Sequence, residues 1–314
     1  MKKNLFKRTA CIVTSAILCG GAIALFAGCT TQNPEVTITY TFDGNDYAVA
    51  YKLSRYDAPK TVQHFIEIAD AGYYDGLCIH DYDGTFLYTG GYTLENGTLV
   101  EKNYFSFMKE QEAAGKTFTQ SVWANGSDIV TSSPVFVSET EAMTPLYTVY
   151  GEFESNGNKT QNARENSHSF GALVMYYTDK GNDTTRVTTE RNDNGNDNDG
   201  DKYNRSSLYK YNSATSFFYT FTGTSNTTRD KDYCVFGKVT EAGADVLTDL
   251  TEAIEEYRSG LETDESFTET IKLNASVYMQ YEPIVGTRTS GLDKEYNTPV
   301  DKPIIVTSVK VTKY

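Results

Sequence analysis

The chain has 314 residues, a formal net charge of −14, and 24 tyrosines against a single tryptophan. Such a length suits one large domain, or a smaller domain that carries insertions. Beyond the first eight residues no cluster of Lys and Arg stands out. That excludes nucleic acid as a partner, because binding phosphates requires concentrated positive charge to displace counterions.

Residues 1–28 are predicted to be a secretory signal. Lys2, Lys3, Lys7 and Arg8 give a basic start, and 9–27 is an uncharged, largely apolar run. A run of about 19 residues also matches a short membrane span. Leu25-Phe26-Ala27-Gly28-Cys29 decides for a signal, because it resembles the bacterial lipobox, with small residues before a cysteine that becomes lipidated. Cys29 is thus the expected lipidation site and 29–35 a tether. Either alternative, signal or anchor, places the domain outside the cytoplasm.

Within 36–314 the elements read in order. Residues 36–42 and 47–53 alternate apolar and polar around Asp43-Gly44-Asn45-Asp46, which predicts a hairpin. Asp57-Ala58-Pro59 opens a helix, with the acid as N-cap and proline in the first turn. Val62, Phe65, Ile66 and Ala69 form its apolar stripe, and Gly72 closes it. Short strands follow over 77–82 and 86–89, separated by a turn at Asp83-Gly84. A second helix is predicted over 244–258, with Val246, Leu247, Leu250, Ala253, Ile254 and Tyr257 on one face, and a terminal strand over 303–311. Segments 92–145, 178–210 and 259–302 lack strong patterning and read as insertions, the first with a short helix near 105–114. Cys78 and Cys234 sit in apolar runs and read as buried thiols, though an exported protein also permits a disulfide between them. Residues 190–201 space acids and amides somewhat like a calcium loop. Neither register is clean, so no metal and no cofactor are predicted.

The segment 57–91, DAPKTVQHFIEIADAGYYDGLCIHDYDGTFLYTGG, resembles the signature of the cyclophilins. Four further stretches follow in family order. Tyr150-Gly151-Glu152-Phe153 with Asn156-Gly157 resembles K-G-E-F-x-x-N-G. Residues 171–175 resemble G-x-[IL]-S-M, and 212–218 resemble N-S-A-x-S-Q-F-F without its glutamine. Residues 235–239 match V-F-G-K-V outright. The resemblance implies a mainly β fold, a closed antiparallel barrel capped by two α-helices and interrupted by long loop insertions.

It also implies a site. Phe86, Leu87 and Phe218 take the positions of the family's proline pocket. Thr89 and Ser216 take those of substrate-binding glutamines, and Tyr233 that of a histidine. Thr228 and Arg229 replace a Trp-Leu pair, which makes Arg229 a candidate guanidinium at the pocket. Asp81 stands where the family carries its catalytic arginine, a donor to the prolyl nitrogen. A carboxylate is only an acceptor near neutral pH and cannot donate in that way. The expected function is therefore that of an exported, lipid-anchored protein of isomerase type, acting on or binding proline-containing segments of exported proteins. The alternative is a non-catalytic peptide- or protein-binding module.

Overall fold

The computed structural model describes residues 33–118, 122–125, 128–131, 144–145, 149–153, 167–176, 186–191, 203–208, 213–214, 216–226, 233–273 and 294–314. The chain separates into Met1–Thr30 and Thr31–Tyr314, and all described residues belong to the second unit. Cys29, Thr228, Arg229 and most of the 190–201 run lie outside the described residues. No helix among the described residues is long and apolar enough to cross a membrane.

Nine strands form one antiparallel sheet: β1 (Glu35–Phe42), β2 (Asn45–Leu53), β3 (Leu77–Cys78), β4 (Asp81–Tyr82), β5 (Phe86–Thr89), β6 (Ala172–Met175), β7 (Phe218–Phe221), β8 (Cys234–Val239) and β9 (Ile305–Lys313). Their order is β3-β9-β1-β2-β8-β6-β7-β5-β4. The two edge strands, β3 and β4, are consecutive in the chain with only Ile79 and His80 between them. Ile79 N donates to Ile304 O at 2.8 Å and His80 N to Tyr88 O at 3.0 Å. The sheet therefore curls until its two edge strands meet in the single segment 77–82.

The predicted hairpin is β1–β2, in register from Glu35↔Lys52 to Phe42↔Asn45. Alternation turns Val36, Ile38, Tyr40 and Phe42 inward and leaves the residues between them partly exposed. At the β5–β7 end, Gly90 has φ +113, and a Cβ there would lie 2.3 Å from Ser216 O. Only glycine tolerates both that conformation and that approach.

Among the described residues three helices accompany the sheet, where two were expected with a further short one as an option. Helix α1 (Pro59–Asp70) buries Val62, Phe65, Ile66 and Ala69 as its spacing predicts. Phe65 packs at 5.2 Å from Phe218 and 4.9 Å from Phe236, tying the helix to the barrel interior. Helix α2 (Tyr104–Ala113) is the short one, capped by Asn103 through its Ser106 N bond of 2.8 Å. Helix α3 (Glu241–Ser259) starts three residues before its predicted beginning, where Thr240 caps it by accepting from Gly243 N at 3.1 Å. It buries Leu247, Leu250 and Ile254.

The N-cap of α1 is corrected. It is Ala58, not Asp57, and no side chain of its own caps it. The first-turn donors are met from far along the chain instead. Glu152 accepts from Thr61 N at 2.8 Å, Thr61 Oγ1 at 2.9 Å and Lys60 N at 3.3 Å. A carboxylate at a helix start also opposes the positive end of the helix dipole.

The weakly patterned stretches hold paired strands. Tyr92–Glu95 and Thr98–Glu101 form a hairpin, and Thr268–Leu273 pairs with Lys294–Pro299. A separate five-stranded sheet joins Thr144–Pro145, Val122–Asn125, Asp128–Thr131, Arg186–Arg191 and Tyr203–Leu208. Glu190, the first position of one calcium-loop register, lies on a strand opposite Arg205. Cys78 and Cys234 are buried free thiols and form no disulfide. Burial pushes the Cys78 thiol up to about 12.

Burial raises the Glu152 carboxyl above its ordinary value despite its three donors. A carboxyl raised in the folded state stabilises fully below the unfolded value of 4.5 and loses that contribution as pH rises through the folded value. Denaturant unfolding at a series of pH values should therefore show wild type losing stability relative to Glu152→Gln from about pH 4.5 upward. Curves that stay parallel would contradict this.

Candidate functional site

Strand alternation decides where the expected site residues go. Successive side chains on a strand point to opposite faces, so Phe86 and Leu87 cannot share one. Leu87 is buried in the barrel core, and so is Phe218, edge-on to Phe65 and Tyr74 at 5.2 Å each. Phe86 belongs to a second cluster on the other face of the sheet, with Tyr219 at 5.3 Å, Phe221 at 5.0 Å and Tyr88 stacked at 5.8 Å. The three residues expected to form one proline pocket are thus divided between two faces. Tyr219, the neighbour of Phe218 on β7, takes the opposite face from it, whereas Phe217 belongs to the same core cluster as Phe218.

The expected polar contacts also turn inward. Thr89 is buried and donates through Oγ1 to Cys78 O at 2.9 Å. Ser216 is buried and donates to Gly90 O at 2.6 Å. Both hydroxyls bind main-chain carbonyls near the closing segment, so neither presents a donor to a bound peptide. Their short side chains reach no further than the adjacent backbone.

Asp81 is placed differently. It lies half-buried on β4, opposite Tyr88. Its Oδ1 accepts from Asn297 N at 2.9 Å, which fastens the strand Lys294–Pro299 to the barrel. Next to it, Thr298 Oγ1 donates to His80 O at 2.6 Å, and the Tyr296 ring meets the His80 ring at 4.8 Å. These contacts hold one strand of the third insertion across the position where the resemblance places an arginine.

Beside Asp81 opens a cavity of about 230 Å³, lined by His80, Asp81, Tyr88, Tyr176, Phe217, Tyr233 and Tyr296. It combines the two positions that resemblance assigns to the family's arginine and histidine, now Asp81 and Tyr233. Behind its Tyr88 and Tyr233 walls, the buried His168 shares a 2.7 Å hydrogen bond with Tyr219 OH and packs edge-on to Tyr233 at 5.8 Å. His168, Tyr176 and Tyr296 were not identified as site residues from the sequence. Tyr176 directly follows the G-x-[IL]-S-M-like strand, so its position was open to that reading. Tyr296 reaches the site only through pairing within an insertion, which leaves no local signal.

A larger cavity of about 450 Å³ lies between the Asp83–Gly84 turn, the end of α3 and residues 265–268. Its arginine, Arg258, is paired with Glu255 at 2.7 Å and sits over the Tyr82 ring at 5.7 Å. The aromatic cavity is the better candidate because it holds the substituted positions and offers both ring faces and a carboxylate. Among the described residues, neither Lys nor Arg lines it.

The family model described as cyclophilin type peptidyl-prolyl cis-trans isomerase/CLD matches residues 37–276. Among solved structures, the chain is similar to a crystal structure of a cyclophilin type peptidyl-prolyl cis-trans isomerase from Cryptosporidium parvum. The identity is 14% and the TM-score 0.36, with 90% of this chain and 99% of that chain covered. No curated protein matches the chain.

The Asp81–Asn297 bond has a direct test in stability. Asp81→Ala removes the acceptor from an exposed backbone donor that water can partly satisfy and should lower unfolding stability by about 0.5–1 kcal/mol, whereas Asp81→Asn keeps an acceptor oxygen and should cost less than half of that. Equal losses, read from denaturant midpoints, would show that the carboxylate acts there through its charge alone.

Proposed function

Because the chain belongs to the cyclophilin-type peptidyl-prolyl cis-trans isomerase family, we propose that it binds proline-containing segments of exported proteins and isomerises them only slowly. The observation that carries this reading is Asp81 accepting the Asn297 amide hydrogen at the position of the family's donor arginine. Rotation about a prolyl bond must cross a barrier of about 18–20 kcal/mol set by amide resonance. A donor aimed at the prolyl nitrogen weakens that resonance in the transition state. A carboxylate that is itself accepting a hydrogen bond supplies no such donation.

Binding asks for less. Proline rings dock well against aromatic side chains, and the cavity beside Asp81 is walled by four tyrosines and Phe217. The basic start, the apolar run and the lipobox-like Leu25–Cys29 support attachment of this domain to the outer side of a membrane by a lipid on Cys29. There it would meet newly exported chains before they fold. The insertions 92–145, 178–210 and 259–302 add surface for selecting those clients, since long loops on a rigid scaffold commonly carry recognition.

Cis-trans isomerisation of a short Xaa-Pro peptide, with calorimetry on the same sample, tests both halves. The wild-type chain should bind the peptide yet catalyse about 10²- to 10³-fold less efficiently than a family member that retains the arginine, the usual loss when one positioned donor is missing. Wild-type rates at the level of such a member would overturn the slow-isomerase reading. Absence of any binding would overturn the peptide-binding reading.

A further inference from the structure

The larger cavity, about 450 Å³, shares no lining residue with the aromatic one. Asp81 and Tyr296 line the aromatic cavity, and their chain neighbours Tyr82 and Asn297 line this one. Successive side chains of the same two strands thus turn into separate spaces. The larger cavity is lined mostly by polar groups. Asp83, Glu255 and Glu265 bring three carboxylates and Arg258 a single guanidinium, and Ser259 and Asn297 add a hydroxyl and an amide. Its size falls within the range of small-molecule sites, about 300–1,000 Å³.

These groups are held in place by the protein itself. Asp83 Oδ1 accepts from Thr85 N and Phe86 N at 2.9 Å each and from Thr85 Oγ1 at 3.1 Å, so Oδ2 is the oxygen outside the turn. Arg258 Nη1 donates to Glu255 Oε2 at 2.7 Å, and the guanidinium lies over the Tyr82 ring at 5.7 Å. A guanidinium carries five N–H groups, of which the bond to Glu255 uses one. Glu265 Oε2 accepts from Glu262 N at 3.0 Å. Ser259 Oγ donates to Glu256 O at 2.9 Å and so keeps its lone pairs, while Asn297 Oδ1 accepts from Thr270 Oγ1 at 3.2 Å and so keeps its amide hydrogens. Polar groups fixed in this way lower the ordering cost of binding.

Charge narrows the ligand class. Three carboxylates against one guanidinium disfavour an anion. A bound metal ion gathers several acidic oxygens at one point, and among the described residues no three His, Cys, Asp or Glu converge in that way. The lining offers separate acceptors and donors instead, which suits a neutral ligand rich in hydroxyls, since each hydroxyl both donates and accepts. Two adjacent hydroxyls fit the Arg258–Glu255 pair, one accepting from the guanidinium and the other donating to the carboxylate, both in charge-assisted bonds. We infer that this cavity, between the Asp83–Gly84 turn, the end of α3 and residues 265–268, is a binding site for a neutral sugar residue. The site does not depend on the peptide-binding reading above.

The test titrates the full chain with the methyl glycosides of glucose, galactose, mannose and N-acetylglucosamine and follows backbone amide shifts by NMR. At least one should bind with a Kd of about 1 mM, moving the Gly84 and Asn297 amides and leaving those of Tyr176 and Phe217 in place. Glu255→Ala changes an exposed helix position to a good helix former, so the fold is retained, and it should weaken that binding about tenfold. Glu252→Ala, exposed on the same helix but outside the cavity, should leave it unchanged. The methyl glycoside of glucuronate should bind more weakly than that of glucose, because its carboxylate meets like charge. If none of the four neutral glycosides moves the Gly84 and Asn297 amides at about 50 mM, the sugar site is overturned. Binding that survives Glu255→Ala unchanged would overturn it too. A glucosamine glycoside that bound tenfold tighter than every neutral one would show selection by charge and overturn the assignment to a neutral ligand.

Discussion

The segment Leu77–Tyr82 holds the structure closed. Its first half pairs with β9 and its second half with β5, so one extended stretch joins both edges of a nine-stranded sheet. Three polar side chains at or beside the candidate site help to keep that seam in place. Thr89 binds Cys78 O, Thr298 binds His80 O and Asp81 binds Asn297 N. Residues that resemblance assigns to a substrate are, in this chain, partners of the seam. Beside this segment lies the strand Lys294–Pro299, whose backbone supplies the donor that Asp81 receives.

Much of the fold was legible because its signals are local. The alternation of 36–53 sets the hairpin and its inward face, and the stripe Val62, Phe65, Ile66, Ala69 sets the buried side of α1. The misses share a physical cause. The cap of α1 comes from Glu152, about ninety residues away, and no window around Asp57 contains it. The strand Lys294–Pro299 exists through pairing with Thr268–Leu273, within a stretch whose sequence is not strongly alternating.

The site was legible only in part, for a different reason. Motif matching placed Phe86, Leu87 and Phe218 in one pocket, whereas the period of two along a strand puts Phe86 on the other face of the sheet from Leu87 and Phe218. The missing glutamine before Phe217 marks this region as one where the motif and the geometry diverge. The partner of Asp81, Asn297, lies in an insertion and could not be read from the motif.

The central claim is that Asp81 acts as a fastener for the strand Lys294–Pro299. Amide hydrogen exchange at Asn297, followed by NMR in wild type and in Asp81→Ala, addresses it directly. Strong protection in wild type and its loss in Asp81→Ala, with the β1–β2 amides unchanged, is the predicted result. Fast exchange at Asn297 in wild type, or protection that survives removal of the carboxylate, would contradict it.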